Sequence, residues 1–327
     1  MPEKNAMTEP LFPARVVAIE PEAEGISSYW LEPISANQPV HIEPGSHIDV
    51  LLPNGMLRSY SLSNGMETSR GYRLTVARDA NSRGGSVCMH DDVKVGQVLE
   101  ISRPRNNFKL DEQATTSVFI AGGIGVTPFL PMMARLNTCA KPWRMFYCMR
   151  NSSKAALLKE VGSLAANGPG ELVTHYDDKE GVIDLDSVMS SLSSGDHIYC
   201  CGPTGMLDAF CACAEKLKIS PNHVHLEYFK AENVLNSQDE SFQVVLNRSG
   251  LEFTVAPGGT ILQTLLDHGV DVPFSCEQGV CGSCETMVVE GVPDHRDLIL
   301  SPNEKAEGKT MMICCSGSKS ARLVLDL

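Results

Sequence analysis

Three cysteines within nine residues, with a fourth far downstream, constrain this chain more than any other feature. The stretch CEQGVCGSC places Cys276, Cys281 and Cys284 at C-x4-C-x2-C spacing, and Cys314 follows after another 29 residues. That spacing matches the run that holds a [2Fe–2S] cluster. Two irons require four thiolates, and a short glycine-rich loop turns three of them inward while backbone N–H groups reach the sulfides. Gly279 and Gly282 relieve the backbone where a side chain would block the turn. The distant fourth thiolate ties the loop to a folded core. Structural zinc sites usually show paired short spacings, whereas here the fourth cysteine has only Cys315 beside it. Cys315 competes with Cys314, and the gap favours Cys314. The expected metal ligands are therefore Cys276, Cys281, Cys284 and Cys314.

A chain of 327 residues calls for two or three domains, more than one core usually covers. Hydrophobic content of 43% and charged content of 20% describe a soluble globular protein. No apolar run reaches the ~18 residues of a membrane-spanning helix. MPEKNAMTEP lacks the apolar core of a signal peptide, so the expectation is a cytoplasmic protein with no membrane partner. The remaining cysteines (Cys88, Cys139, Cys148, Cys200, Cys201, Cys211, Cys213, Cys315) lie mostly in apolar stretches, where reduced Cys acts as a small hydrophobe. A net charge of −13 argues against nucleic-acid binding. From Glu232 onward, 14 acidic and 6 basic residues give −8. An acidic electron carrier docks on a basic partner, and steering raises the encounter rate; the same charge also serves solubility.

Residues 12–110 read as β, with short apolar alternations (ARVVAI, SHIDVLL, YRLTVAR, VLEIS) broken by Gly, Pro and Asn at intervals typical of a barrel. From Ser117 the texture changes. SVFIAGG is a buried strand ending in glycine, followed by a helical stretch through Leu136. WRMFYCMR is a strand, SKAALLKEVGSLAA a helix, ELVTHY and DHIYCCG strands, MLDAFCACAEKLK an amphipathic helix and VHLEYF a closing strand. Strands alternating with helices imply a parallel sheet with covered faces. The polar stretch 231–241 is the expected linker. Beyond it FQVVLNRSG and LEFTVAP read as a hairpin, TILQTLLDHG as a helix, and ETMVVEG and RLVLDL as strands. The expected domains are 10–112, 113–230 and 242–327.

Two further constellations carry chemistry. In RSYS, alternation along a strand puts Arg58 and Tyr60 on one face and Ser59 and Ser61 on the other. Together with Gly84, Gly85 and Ser86 they supply what a flavin site needs: a cation for phosphate, an aromatic against the ring, a hydroxyl near N5, and backbone donors in a nest. The same residues also read as an ordinary barrel strand and turn. In AGGIGVTP, a strand ends in Gly122 and Gly123, and Pro128 suits the first turn of a helix. Its glycines let a pyrophosphate approach the helix N-terminus, although the spacing departs from G-x-G-x-x-G. CGPTGM, from Cys201 to Met206, ends a later strand, where a parallel sheet binds ligands. Tight strand-to-helix turns give the same patterns.

In this order, RSYS, GGS, AGGIGVTP, CGPTGM, LEYF, CEQGVCGSC and Cys314 resemble the phthalate dioxygenase reductase family, which includes the vanillate O-demethylase reductases, over nearly the whole chain. The resemblance implies an FMN-binding β-barrel, an NAD-binding α/β domain and a C-terminal α+β (β-grasp) ferredoxin domain. It implies that Arg58 contacts the flavin phosphate with Gly84, Gly85 and Ser86, that Tyr60 stacks by the isoalloxazine, and that Ser59 and Ser61 line the flavin, with Ser61 near N5. Gly123, Gly125, Thr127 and Arg150 would line the pyridine-nucleotide site, and Cys201, Gly202 and Pro203 the nicotinamide. Glu227 and Phe229 would sit by the flavin, so that Ser61, Cys201, Glu227 and Phe229 tune and position the reactants. NADH is expected over NADPH: no basic cluster follows WRMFYCMR, and Asp177 and Asp178 add negative charge. FMN is expected over FAD from the family and from the short stretch between Ser86 and Ile101.

The implied activity is electron transfer from NADH through FMN and the cluster, one electron at a time, to the terminal component of a Rieske-type oxygenase. Alternatives are a reductase for a cytochrome P450 or a non-haem monooxygenase. A different class, a redox-sensing regulator, lacks any basic helix or added binding module in the sequence.

Overall fold

The computed structural model describes residues 11–34, 40–65, 67–68, 71–79, 83–230 and 240–327. The chain divides into two compact units, Leu11–Phe229 and Lys230–Leu327. Most of the expected linker, residues 231–239, lies outside the described residues.

The first unit opens with strands β1 (Phe12–Ala23), β2 (Ile26–Pro33), β3 (His47–Leu51), β4 (Leu57–Ser61) and β5 (Tyr72–Ala77), then helix α1 (Gly85–Asp91) and strand β6 (Val98–Ile101). The six strands form one sheet in the order β4-β3-β6-β1-β2-β5. Register shifts in β1 at Val16/Ala18 and Pro21/Ala23 bend and twist that strand. The sheet closes where the chain beyond β4 meets β5: Leu62 bridges Leu74, and the Ser63 amide donates to the Arg73 carbonyl at 2.9 Å. Inside lie Val16, Leu31, Ile48, Leu62, Leu74 and their neighbours. Helix α1 was not expected, since its segment reads as a turn; Cys88 and Met89 bury its inner face in the barrel core.

Five parallel strands follow: β7 (Ser117–Gly122), β8 (Trp143–Met149), β9 (Gly170–Tyr176), β10 (His197–Cys201) and β11 (Val224–Glu227). Helices α2 (Phe129–Thr138), α3 (Leu158–Ala166), α4 (Leu185–Ser190) and α5 (Thr204–Lys216) connect them. The order β9-β8-β7-β10-β11 runs outward from β7 on one side, then returns to its other side with β10. The reversal makes the carboxyl ends of β7 and β10 a topological switch point, where open α/β sheets bind ligands. Both faces are covered, one by Phe119, Phe129, Met145 and Tyr147, the other by Ile120, Ile198, Leu207 and Phe210.

The helix expected over SKAALLKEVGSLAA forms only from Leu158. Before it, Ser152–Lys154 make a 3-10 turn and Leu157 has φ 57°. Tertiary contacts win here over helix propensity. The buried Tyr147 hydroxyl holds the Ala156 carbonyl at 2.8 Å, and Ser153 and Lys154 bond to Glu24 of the barrel. A second tie joins barrel to sheet: Arg73, which lies over Trp30, forks onto both carboxylate oxygens of Glu160 on α3.

The second unit has strands β12 (Phe242–Leu246), β13 (Glu252–Val255), β14 (Glu285–Glu290), β15 (Thr310–Met312) and β16 (Arg322–Leu325), with helices α6 (Ile261–Asp267) and α7 (Pro302–Glu307). Their order is β13-β12-β16-β14-β15. The expected hairpin forms with Phe242 opposite Val255, and β12 pairs parallel with the closing strand β16. This is the β-grasp arrangement, with Ile261, Leu262 and Leu265 of α6 packed on the sheet core. Cys284, Cys314 and Cys315 border that same core.

Candidate redox sites

Strands far apart in sequence converge on Glu227. Ser61, at the end of β4, donates to Glu227 Oε2 at 3.0 Å, and the fully buried Cys201 thiol, at the end of β10, lies 4.0 Å from the same oxygen. Glu227 keeps one flank partly exposed, but its carboxyl is drawn inward. Burial pushes it up to about 8, against the opposing pull of the Ser61 hydrogen bond. Near neutral pH this carboxyl therefore holds a proton beside a hydroxyl and a thiol. Burial, with Glu227 and Cys200 alongside, pushes the Cys201 thiol well up, so it is no thiolate nucleophile. Phe229, two residues on, is 37% exposed.

Around β4 the expected flavin residues divide. Ser59 donates to Asp49 Oδ1 at 2.6 Å, and Asp49 is in turn paired with Arg105 at 2.6 Å. Its hydroxyl is engaged inside the barrel wall, so it braces the strand. Tyr60 packs against the barrel core, and burial raises its phenol. Arg58 lies along the start of α1: a Cβ on Gly85 would fall 2.9 Å from Arg58 Cγ. Gly84, at φ 100°, leads into that helix, whose first-turn amides lack intrahelical acceptors. Ser86 Oγ accepts the Asp79 amide at 3.1 Å. A guanidinium stem and a turn of amides are thus adjacent, as an anion requires.

At the switch point two glycine turns interlock. A Cβ on Gly125 would lie 2.1 Å from the Cys201 carbonyl oxygen, and one on Gly122 would lie 2.6 Å from Pro203 Cδ and 3.1 Å from Gly202 Cα. Only glycines let AGGIGVTP and CGPTGM approach so closely. Gly123, at φ 55°, faces open space. Thr127 is buried and donates to the Ile124 carbonyl at 3.0 Å, which fixes the turn. Arg150 is exposed at the end of β8, and its carbonyl accepts the Asp178 amide at 3.1 Å.

The cysteine loop forms a cage. All four expected ligands are buried. Cys276 touches Cys281 and Cys314, and Cys314 touches Cys284. The Gln278 amide points at Cys276 Sγ at 3.3 Å, and the Val280 amide also reaches it. Hydrogen bonding to Cys276 and burial push the Cys281 thiol up. Neutral thiols packed this way need a cation to ionise them, and a bound metal does so outright. Buried, paired thiols with backbone amides aimed at sulfur fit a two-iron cluster. Cys315 also contacts Cys314, and its thiol lies 2.5 Å from where a Cβ on Gly279 would be. Sequence reasoning missed Asp49 and Arg105 behind Ser59, and His295, Asp297 and Lys305 behind the cage. The one available signal was the charged stretch DHRD, Asp294 to Asp297, directly before the apolar Leu298–Leu300.

Residues 244–318 match the 2Fe-2S iron-sulfur cluster binding domain family, and residues 119–212 the oxidoreductase NAD-binding domain family. The crystal structure of phthalate dioxygenase reductase, described as modular for electron transfer from pyridine nucleotides to [2Fe–2S], is 35% identical with a TM-score of 0.70, over 97% of this chain and 98% of that one. The chain belongs to the phthalate dioxygenase reductase family. Within that family, phenoxybenzoate dioxygenase subunit beta of Ectopseudomonas oleovorans is 45% identical over 96% of both chains. Tetrachlorobenzoquinone reductase of Sphingobium chlorophenolicum is 44% identical over 95% of this chain and 97% of its own. An intact type IV self-sufficient cytochrome P450 monooxygenase matches with a TM-score of 0.87 and 32% identity over 100% of this chain, which spans only 43% of that longer polypeptide. This member of the family is an oxidoreductase with an NAD-binding domain and a 2Fe–2S domain. Among the described residues no helix is long and apolar enough to cross a membrane.

Proposed function

We propose that this chain oxidises NADH at an FMN and passes the electrons singly through a [2Fe–2S] cluster to the terminal component of a Rieske-type oxygenase. The observation that carries the proposal is the meeting of Ser61 with Glu227 and Cys201, which joins a barrel strand to the strand ends where a parallel sheet binds nucleotides. FMN accepts a hydride and releases electrons one at a time, and the cluster carries one. The protein's residues bind and orient. Arg58 and the amides of Gly84, Gly85 and Ser86 hold the FMN phosphate, and Tyr60 lies by the ring. Ser61 places its hydroxyl near N5, with the protonated Glu227 behind it. Gly123, Gly125 and Thr127 shape the turn that accepts the NADH pyrophosphate, with Arg150 as the outlying cation. Cys201, Gly202 and Pro203 set the nicotinamide depth, and Phe229 covers the open flank. Ser59 acts through Asp49 as a brace. Cys276, Cys281, Cys284 and Cys314 hold the cluster. The −8 charge from Glu232 onward favours a basic docking face on the oxygenase.

Anaerobic NADH titration of the purified protein, read in the visible spectrum, tests the route. Bleaching of both flavin and cluster bands is expected. A flavin that bleaches beside an unchanged cluster would break the internal wiring, and no response would remove the nicotinamide assignment. A second reading, reduction of a chlorinated quinone, draws on the 44% identity to tetrachlorobenzoquinone reductase. Faster NADH turnover with such a quinone than with any Rieske oxygenase would favour it.

A further inference from the structure

Between β14 and α7 lies a charged segment that none of the redox chemistry above uses. Asp297 is 1% exposed, and its Oδ2 accepts the amides of Ile299 at 3.2 Å and Leu300 at 2.8 Å. Its Oδ1 has no hydrogen-bond partner among the described residues. His295 Nδ1 stands 3.6 Å from that oxygen, and both ring nitrogens of His295 are also without hydrogen bonds. From α7, Lys305 donates to the Asp297 carbonyl at 2.5 Å and lies 3.7 Å from Oδ2.

The same segment braces the two halves of the cysteine cage. The Leu298 amide donates to the Gly279 carbonyl at 3.0 Å, and a Cβ on Gly279 would lie 3.0 Å from Asp297 Cα. Asp297 is therefore packed against the middle of the cysteine loop. On the other side, the Arg296 amide donates to Ser316 Oγ at 3.3 Å, and Asp294 pairs with Gly317, just beyond Cys314. Capping the turn needs only Oδ2, and an asparagine would do it as well. A buried carboxylate with one oxygen lacking a hydrogen bond is costly, and an asparagine would lessen that cost.

We infer that Asp297 and Lys305 are an opposed charge pair that sets the reduction potential of the cluster, with Asp297 as the positioning residue that holds it low. The inference rests on the four cysteines holding a [2Fe–2S] cluster. Reduction adds an electron, and a negative charge fixed in a low-dielectric interior disfavours it, while a neighbouring cation favours it. Asp297→Asn keeps an acceptor for Ile299 and Leu300 and removes only the charge. Lys305→Met keeps the apolar stem and removes the cation.

The test is a redox titration of the cluster-loaded full chain, followed by the EPR signal of the reduced cluster. Asp297→Asn should favour reduction about tenfold, an upward shift of about 59 mV for a one-electron couple. Lys305→Met should disfavour it about threefold, less because the ammonium is partly exposed and screened. Opposite signs are the signature, since simple loosening of the loop gives no reason for the two to diverge. Should Asp297→Asn lose its cluster, a downward shift in Lys305→Met alone sustains the pair. Potentials equal to wild type in Lys305→Met, or in an intact Asp297→Asn, overturn it. Iron and sulfide analysis separates the two levels. A wild type without a cluster sinks the cysteine assignment and this pair together, while an intact cluster with unmoved potentials sinks the pair alone.

Discussion

The cysteine cage and the Glu227 pocket both hold ionisable groups away from water, by contrasting means. In the cage, three of the four sulfurs come from nine consecutive residues, and the crowded thiols are suited to lose their protons to a metal. In the pocket, Ser61 and Glu227 are 166 residues apart, and the carboxyl tolerates burial by keeping its proton. The cage is thus largely a local device, with three of its four ligands in one loop and the fourth anchored at the core of the second unit. The pocket exists only because two sheets meet, and it responds to anything that moves either one.

Breaking the cage gives the largest expected effect. Cys284→Ser removes one of the paired sulfurs and should abolish turnover with protein acceptors. Stopped-flow bleaching of the flavin by NADH should stay at the wild-type rate, because no residue of the pocket belongs to the second unit. Loss of both reactions would mean that the two sites are not separable.

The interlocked turns at the switch point come next. Gly125→Ala puts a Cβ 2.1 Å from the Cys201 carbonyl oxygen, a backbone atom that cannot swing aside, so one turn must move. Overpacking of this kind costs about 1–3 kcal/mol. The apparent KM for NADH should rise at least about fivefold, in keeping with the lower end of that cost, while the cluster spectrum stays unchanged. A wild-type KM would take the crossing of the two glycine turns off the nucleotide path.

The same contrast explains what could be read from the sequence. The cage was legible because its chemistry is written as spacing, and the passage from barrel to parallel sheet within the first unit because β alternation gives way to alternating strands and helices. The two glycine turns were visible singly, but not that each needs the other's lack of a side chain. Ser59 reads as a flavin ligand because strand alternation cannot show that Asp49, on the neighbouring strand, takes its hydroxyl. The start of α3 was misplaced because Tyr147 and Glu24, distant in sequence, hold the residues before Leu158 out of the helix. Asp297 was invisible as a charge beside the cage, since only the fold brings it to Gly279. What escaped is consistently the non-local contact, polar or steric.

The subtlest prediction concerns the Glu227 proton and carries its sign with it. An ordinary glutamate titrates near 4.5, and in the fold this one is pushed up to about 8. Below the lower value both folded and unfolded chains carry the proton. Between the two values only the folded chain keeps it, so its contribution to stability falls as pH rises and levels off above about 8. The slope is at most about 1.4 kcal/mol per pH unit, and less where the exposed flank admits water. Glu227→Gln cannot ionise and escapes that loss while still offering Ser61 an acceptor. Thermal unfolding of the two proteins from pH 5 to pH 9 should therefore show the variant gaining on the wild type up to about pH 8 and then holding its lead. A difference that stays constant with pH would place an ionised carboxylate beside Ser61, and the pocket would then hold charge in the way that the cage does.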